Sequence, residues 1–138
     1  MQAVQTSSCP PLFTHQNDAP PSLSHSMWPG HMVGQREQPV RVFLVDDDSH
    51  IRRVIAQDLM GDSRTLLVGH ACSLREARKS IQQHDFDVLM IDLNLGDGEG
   101  LDLLELVQGT HPHVQSIIVS VTERDEKVFQ AFEKGAVG

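Results

Sequence analysis

The chain has 138 residues with 19 acids against 11 lysines and arginines, a formal net charge of −8. That length allows one domain of ordinary size, and that charge argues against a surface that grips phosphate backbones. Two cysteines without regular spacing exclude a disulfide-built scaffold, and no apolar run is long enough for a signal peptide or a membrane helix.

Residues 1–39 hold six of the seven prolines, three histidines (His15, His25, His31) and only three charged side chains, Asp18, Arg36 and Glu37. No helical or strand period runs through them, so the segment is expected to be a disordered tail that cannot offset its ordering entropy. The domain is expected over 40–138, where 17 acids face 10 lysines and arginines. Cys9 lies in the tail and Cys72 in the domain; with no pairing pattern between them, a reducing, cytoplasmic compartment is expected.

Within the domain, short apolar runs alternate with amphipathic stretches. Residues 41–45 read as a first strand that stops in three consecutive acids, Asp46, Asp47 and Asp48. A helix over 50–60 follows, with Ile51, Val54, Ile55 and Leu59 on its inner face and Gly61 as its stop. Residues 66–69 suit a second strand, and Ser73 with Glu76 forms a capping box opening a helix with Leu74, Ala77 and Ile81 inward. The run V-L-M-I at 88–91 is uncharged and unalternating, as expected of a strand buried on both faces, and ends in Asp92. A third helix uses Leu101, Leu104 and Val107 and gives out near Gly109. The fourth strand is expected over 116–121, after which Thr122 or Asp125 caps a fourth helix with Val128 and Phe132 on its buried side. Strands alternating with helices imply an α/β, doubly wound parallel sheet.

In open α/β sheets, ligands bind beyond the carboxyl ends of the strands, so Asp92 and the 46–48 triplet are functional candidates. If the two strands are parallel neighbours, Asp46, Asp47 and Asp92 converge. Clustered carboxylates repel unless a proton or cation compensates them, and with a loop carbonyl they make the oxygen-rich site a hard divalent ion such as Mg²⁺ prefers. His111 and His113 flank Pro112 without a third ligand to complete a metal site, so a solvated loop is expected there.

Three segments in order, F-L-V-D-D-D-S-H-I-R-R, M-I-D-L-N-L-G-D-G-E-G-L-D-L-L and I-I-V-S-V-T-E-R, resemble the receiver domain of two-component response regulators across 40–138. The resemblance implies a flavodoxin-like sheet, in which the four strands seen here would take the order 2-1-3-4. It implies that Asp92 accepts a phosphoryl group from a phosphohistidine of a sensor histidine kinase. It further implies that Asp46, Asp47, Asp92 and the backbone carbonyl of Asn94 hold Mg²⁺, and that Ser120 is a switch hydroxyl, with Thr122 its nearest competitor. Asp48 lies one place beyond the family's acid pair and is expected at the surface. Such a domain takes part in its own phosphoryl transfer and is not a turnover enzyme. Resemblance to receivers joined to DNA-binding domains implies a fragment of a longer transcriptional regulator, with no direct nucleic-acid or membrane contact by this segment.

Departures from the family pattern set further expectations. Gly96 stands where proline is usual, and Val121 follows Ser120 where a small residue is common. The fifth strand, its lysine and the fifth helix are expected to be missing after Gly138, leaving the fourth strand as an open apolar edge suited to homodimer or other association and phosphorylation slow or absent. Two rivals remain. Asp46-x-Asp48 also resembles the opening of haloacid-dehalogenase-type phosphatases, and the domain could instead be an unphosphorylated interaction module competing with a full-length regulator.

Overall fold

The computed structural model describes residues 9–12, 38–119 and 125–138. Its elements alternate as the hydrophobic pattern demands: β1 (Val40–Val45), α1 (Ser49–Met60), β2 (Thr65–Ala71), α2 (Leu74–Ser80), β3 (Val88–Ile91), β4 (Asn94–Leu95), β5 (Gly98–Glu99), α3 (Gly100–Thr110), β6 (Gln115–Ile118) and α4 (Asp125–Glu133). A 3-10 turn, Ile81–Gln83, extends α2.

Four strands form one parallel sheet in the order β2-β1-β3-β6, and β4 and β5 form a small antiparallel hairpin. This is the flavodoxin-like order 2-1-3-4 in strands counted along the sheet, and the α/β, doubly wound reading holds. The hairpin was not expected: residues 94–99 fold back on themselves directly after Asp92, with Asn94 opposite Glu99.

Central strands buried on both faces carry the core. Phe43, Leu44, Val45, Leu89 and Ile91 are fully buried, and Phe43 packs against Phe86 with ring centroids 5.4 Å apart. The β1–β2 register slips between Val42 and Phe43, and opposite Phe43 stands Gly69. A Cβ there would lie 2.7 Å from the Phe43 ring, so glycine admits the phenyl group to the sheet face. At the start of β1, Arg41 is clamped to Asp87 by its backbone N–H (2.9 Å) and by its guanidinium (3.0 and 3.1 Å), tying β1 to the approach to β3.

Several helix expectations need correction. In α1 the fully buried residues are Arg52 and Ala56, while Val54 is 44% exposed. The inward face is rotated by about one position, because the tail of β1 and the acidic loop accept a guanidinium where the apolar pattern placed a valine. In α4 Ala131 is buried and Phe132 is 48% exposed, so the small residue, not the aromatic one, joins the core. Ser73 does cap α2, its hydroxyl accepting from the Glu76 N–H at 3.0 Å. Strand β2 runs two residues further than expected, to Ala71, and β6 ends at Ile118.

The expected bare edge beside β6 is also corrected. Residues 136–138 run parallel to it: the Val137 N–H donates to Ser116 O at 2.8 Å and the Ile118 N–H to Gly138 O at 2.7 Å. Glycine at 135, with φ +111°, makes the turn from α4 into this segment. No described helix is long and apolar enough to cross a membrane.

Candidate functional site

Strand register alone brings the acids together. Val45 pairs with Ile91 in the parallel β1–β3 ladder, so the next residues, Asp46 and Asp92, leave adjacent strands side by side at neighbour spacing. The Asp92 N–H still donates to Val45 O at 2.9 Å, and the Asp46 N–H to Ala71 O at 3.1 Å. One carboxylate oxygen from each of Asp46, Asp47 and Asp92 lies within 4.8 Å of the others. This is the convergence expected from the sequence.

Each strand-end acid is fixed by its own loop. Asp46 Oδ1 accepts the Asp48 N–H at 2.8 Å, and Asp92 Oδ1 accepts the Asn94 N–H at 3.0 Å. Both turns fold the chain back over the carboxylate two residues earlier. Asp46 is buried, Asp47 exposed and Asp92 in between, so the cluster opens to solvent on the Asp47 side. Burial pushes the Asp46 carboxyl up to about 6; the Asp48 N–H opposes this, and the charges of Asp92, Asp47 and Asp48 add to it.

The loops around the cluster close it in. A Cβ on Gly96 would sit 3.6 Å from Asp47 Oδ2, so the loop after β3 lies beside the Asp47 carboxylate, and glycine in place of proline leaves its conformation open. At Gly100 a Cβ would be 2.6 Å from Asp92 O, so only glycine lets the start of α3 meet the end of β3. Asp97 accepts from the Leu74 and Arg75 N–H groups at 2.8 and 2.9 Å, tying the same loop to α2. Burial works against it, yet these N–H groups hold the Asp97 carboxyl below its usual range.

Two residues carry roles the sequence reading missed. Asp48, expected merely at the surface, is exposed but caps α1, its Oδ1 accepting the His50 and Ile51 N–H groups at 2.9 and 3.2 Å. The signal was present, since an acid two places before an amphipathic run is a standard helix cap. Arg52 is buried beneath the acids and its Nη1 donates to Asp46 O at 2.8 Å. Burial lowers its guanidinium from the ordinary value, while the charges of Asp46, Asp47 and Asp48 oppose that change. No sequence period could assign a charged side chain to the core; only its distance from the acid triplet hinted at it.

Ser120, Val121 and Thr122 lie outside the described residues. Asn94 is exposed two positions beyond Asp92, at the start of the β4–β5 hairpin. His111 stacks on the buried Phe86 ring, with centroids 5.3 Å apart, and His113 is exposed; no third ligand joins them among the described residues. The expected independence of the cysteines is corrected: Cys9 and Cys72 are disulfide-bonded. The sequence could not show this, because Cys72 directly follows β2 and the fold returns residues 9–12 to that strand end.

A buried, partly protonatable carboxyl beside two more accessible ones, all at the carboxyl edge of a parallel sheet, makes an acidic cluster whose oxygen donors suit a hard cation. The response regulator receiver domain model matches residues 42–138. Relatives include a protein-glutamate methylesterase/protein-glutamine glutaminase of Pseudomonas aeruginosa, 35% identical over 72% of this chain and 29% of its own. The DNA-binding transcriptional activator DevR/DosR of Mycobacterium tuberculosis is 33% identical over 72% of this chain and 46% of its own. The chain thus spans less than half the length of these relatives. In structure it superimposes on the response regulator domain of Thermotoga maritima CheB with a TM-score of 0.66, 26% identity and coverage of 72% and 75%. A CheY-like receiver domain from Methanospirillum hungatei gives 0.65, 26%, 72% and 78%. The chain belongs to the response regulator receiver family.

Proposed function

We propose that this chain is the phosphoacceptor module of a two-component phosphorelay, with Asp92 taking a phosphoryl group from a phosphohistidine of a sensor histidine kinase. The observation that carries the reading is the meeting of Asp46, Asp47 and Asp92 within 4.8 Å at two paired strand ends. Of the two strand-end acids, Asp92 is the more accessible and Asp46 is buried. An Asp92 carboxylate oxygen attacks phosphorus, the P–N bond to the donor imidazole breaks, and the imidazole keeps the electron pair. Phosphoryl transfer of this kind depends on position and charge compensation more than on covalent assistance.

The donor set fits Mg²⁺: three clustered carboxylates, one buried and reluctant to ionise alone, are what a hard divalent ion relieves. Asp46, Asp47, Asp92 and the Asn94 carbonyl would hold it, and bound there it supplies positive charge against the phosphoryl oxygens. Arg52 anchors the Asp46 backbone from below, and Asp48 fixes α1 above the loop. Ser120 is proposed as the switch hydroxyl. We divide the chain into a tail over 1–39 and a receiver over 40–138, place it in the cytoplasm, and assign it no catalytic turnover of its own. A role in transcription is supported by the likeness to DevR/DosR.

A phosphatase using Asp46 and Asp48 is disfavoured, because the Asp48 carboxylate is already engaged by the His50 and Ile51 N–H groups. Incubation with acetyl phosphate and Mg²⁺ should attach one phosphoryl group, released by hydroxylamine as expected of an acyl phosphate and absent in Asp92→Ala. Repeated turnover of a chromogenic phosphomonoester, undiminished in Asp92→Ala, would instead restore the phosphatase. An unlabelled protein that still binds a kinase would favour the interaction module.

A further inference from the structure

The sequence offers no reason for residues 9–12 to touch the domain, yet Cys9 is bonded to Cys72 across a separation of 63 residues, with Cα atoms 5.4 Å apart. Cys72 sits next to the acidic site. Its neighbour Ala71 ends β2 and accepts the Asp46 N–H, and Ser73 on its other side caps α2. Beyond Cys9, Pro10, Pro11 and Leu12 share a cavity of about 210 Å³ with Ser49, His50 and Arg52 of the first turn of α1. The linked segment therefore lies against the turn that Asp48 caps and under which Arg52 holds Asp46.

Four residues, two of them prolines and exposed, have little buried surface with which to hold this position; ordering them requires the covalent link. Both cysteines are half-buried, so a small thiol can reach the bond. In the cytoplasm proposed above, a disulfide is as a rule transient and sensing, not structural.

We propose that Cys9 and Cys72 form a thiol–disulfide switch that straps residues 9–12 against the first turn of α1, beside the loop bearing Asp46, Asp47 and Asp48. Formation proceeds by exchange with a low-molecular-weight disulfide. A cysteine thiolate attacks one sulfur and releases one thiol, and the second thiolate then attacks the mixed disulfide and releases the other. Two protein thiols are oxidised, one external disulfide is reduced to two thiols, and the protons pass to the released thiolates. Oxidation orders α1 at its N-terminus; reduction frees the strap. Any effect on phosphoryl transfer rests on the function proposed above.

The test equilibrates the full chain in buffers of reduced and oxidised glutathione, reads free thiols by maleimide labelling, and reads amide exchange at His50, Ile51 and Arg52. Both thiols are expected to label in reducing buffer and neither in oxidising buffer, with exchange about tenfold slower in the oxidised form. Cys9→Ser, altered outside the domain, should show the fast exchange in both buffers. Thiols that label fully under oxidation, a mixed disulfide with glutathione in place of the internal bond, or equal exchange rates in the two states would overturn the switch. Acetyl phosphate labelling on the same samples separates the two proposals: its failure in both redox states counts against Asp92 as acceptor, while the thiol and exchange results still decide the switch.

Discussion

Asp46 is the residue at which position becomes chemistry. Burial and three neighbouring carboxylates place its proton affinity at about 6, above the ordinary range of an aspartate in the unfolded chain. The folded state therefore binds this proton more tightly. In the absence of metal, this group makes the fold more stable as pH falls from above 6 towards 4, and stability declines as pH rises through that window, by on the order of 1–3 kcal/mol. The Mg²⁺ proposed to bind at this cluster would compete with the proton for the same oxygen. The apparent Mg²⁺ affinity should accordingly fall as pH is lowered through 6, and titration calorimetry in buffers of different ionisation enthalpy should show proton release on binding near that pH. Asp46→Asn should remove both the proton release and the metal-free pH dependence. An unchanged Mg²⁺ affinity between pH 7 and pH 5 would contradict this assignment.

At the scale of one element, α1 shows how a helix serves a site it does not directly form. Its cap, Asp48, is the third acid of the triplet, and its buried Arg52 grips the backbone of the first. Replacing Asp48 by Ala leaves two N–H groups without their acceptor and should cost about 1 kcal/mol in chemical denaturation, whereas Asp48→Asn, which keeps an acceptor oxygen, should cost much less. Equal losses in the two variants would mean that the charge and not the cap matters. The helix itself was legible from its period and from Gly61. Its rotation was not, because an apolar count ranks Val54 above Arg52, and only the acidic loop beneath makes an arginine the better occupant of the buried position. Phe132 in α4 misled in the same way: apolar character marks a face without saying which of two adjacent positions the core admits.

Across the whole molecule, stability rests on a small core shared by four strands, so single core residues weigh heavily. Phe43 is fully buried, packs on Phe86 and occupies the space left by Gly69. Phe43→Ala should destabilise the domain by about 3–5 kcal/mol, a large part of the total for a domain of this size. Because Phe43 stands three residues before Asp46 on β1, loss of Mg²⁺ binding in this variant should track loss of folded protein in far-UV circular dichroism. Binding lost while the circular dichroism stays native would argue that Phe43 acts on the site by another route. The residues 136–138 that pair with β6 contribute hydrogen bonds along an edge that the pattern of strands alone left open.

The sequence by itself determined the alternation of strands and helices, the parallel sheet, and the identity of the three acids that meet. Those features follow from local periodicity and from where each apolar run stops, and both are properties of short stretches of chain. The tertiary structure alone decided the rotation of α1 onto Arg52, the hairpin after Asp92, the pairing of 136–138 with β6 and the bond from Cys9 to Cys72. Each of these depends on which distant surface a residue meets once the sheet has assembled, and the spacing of residues along the chain carries no record of that distance.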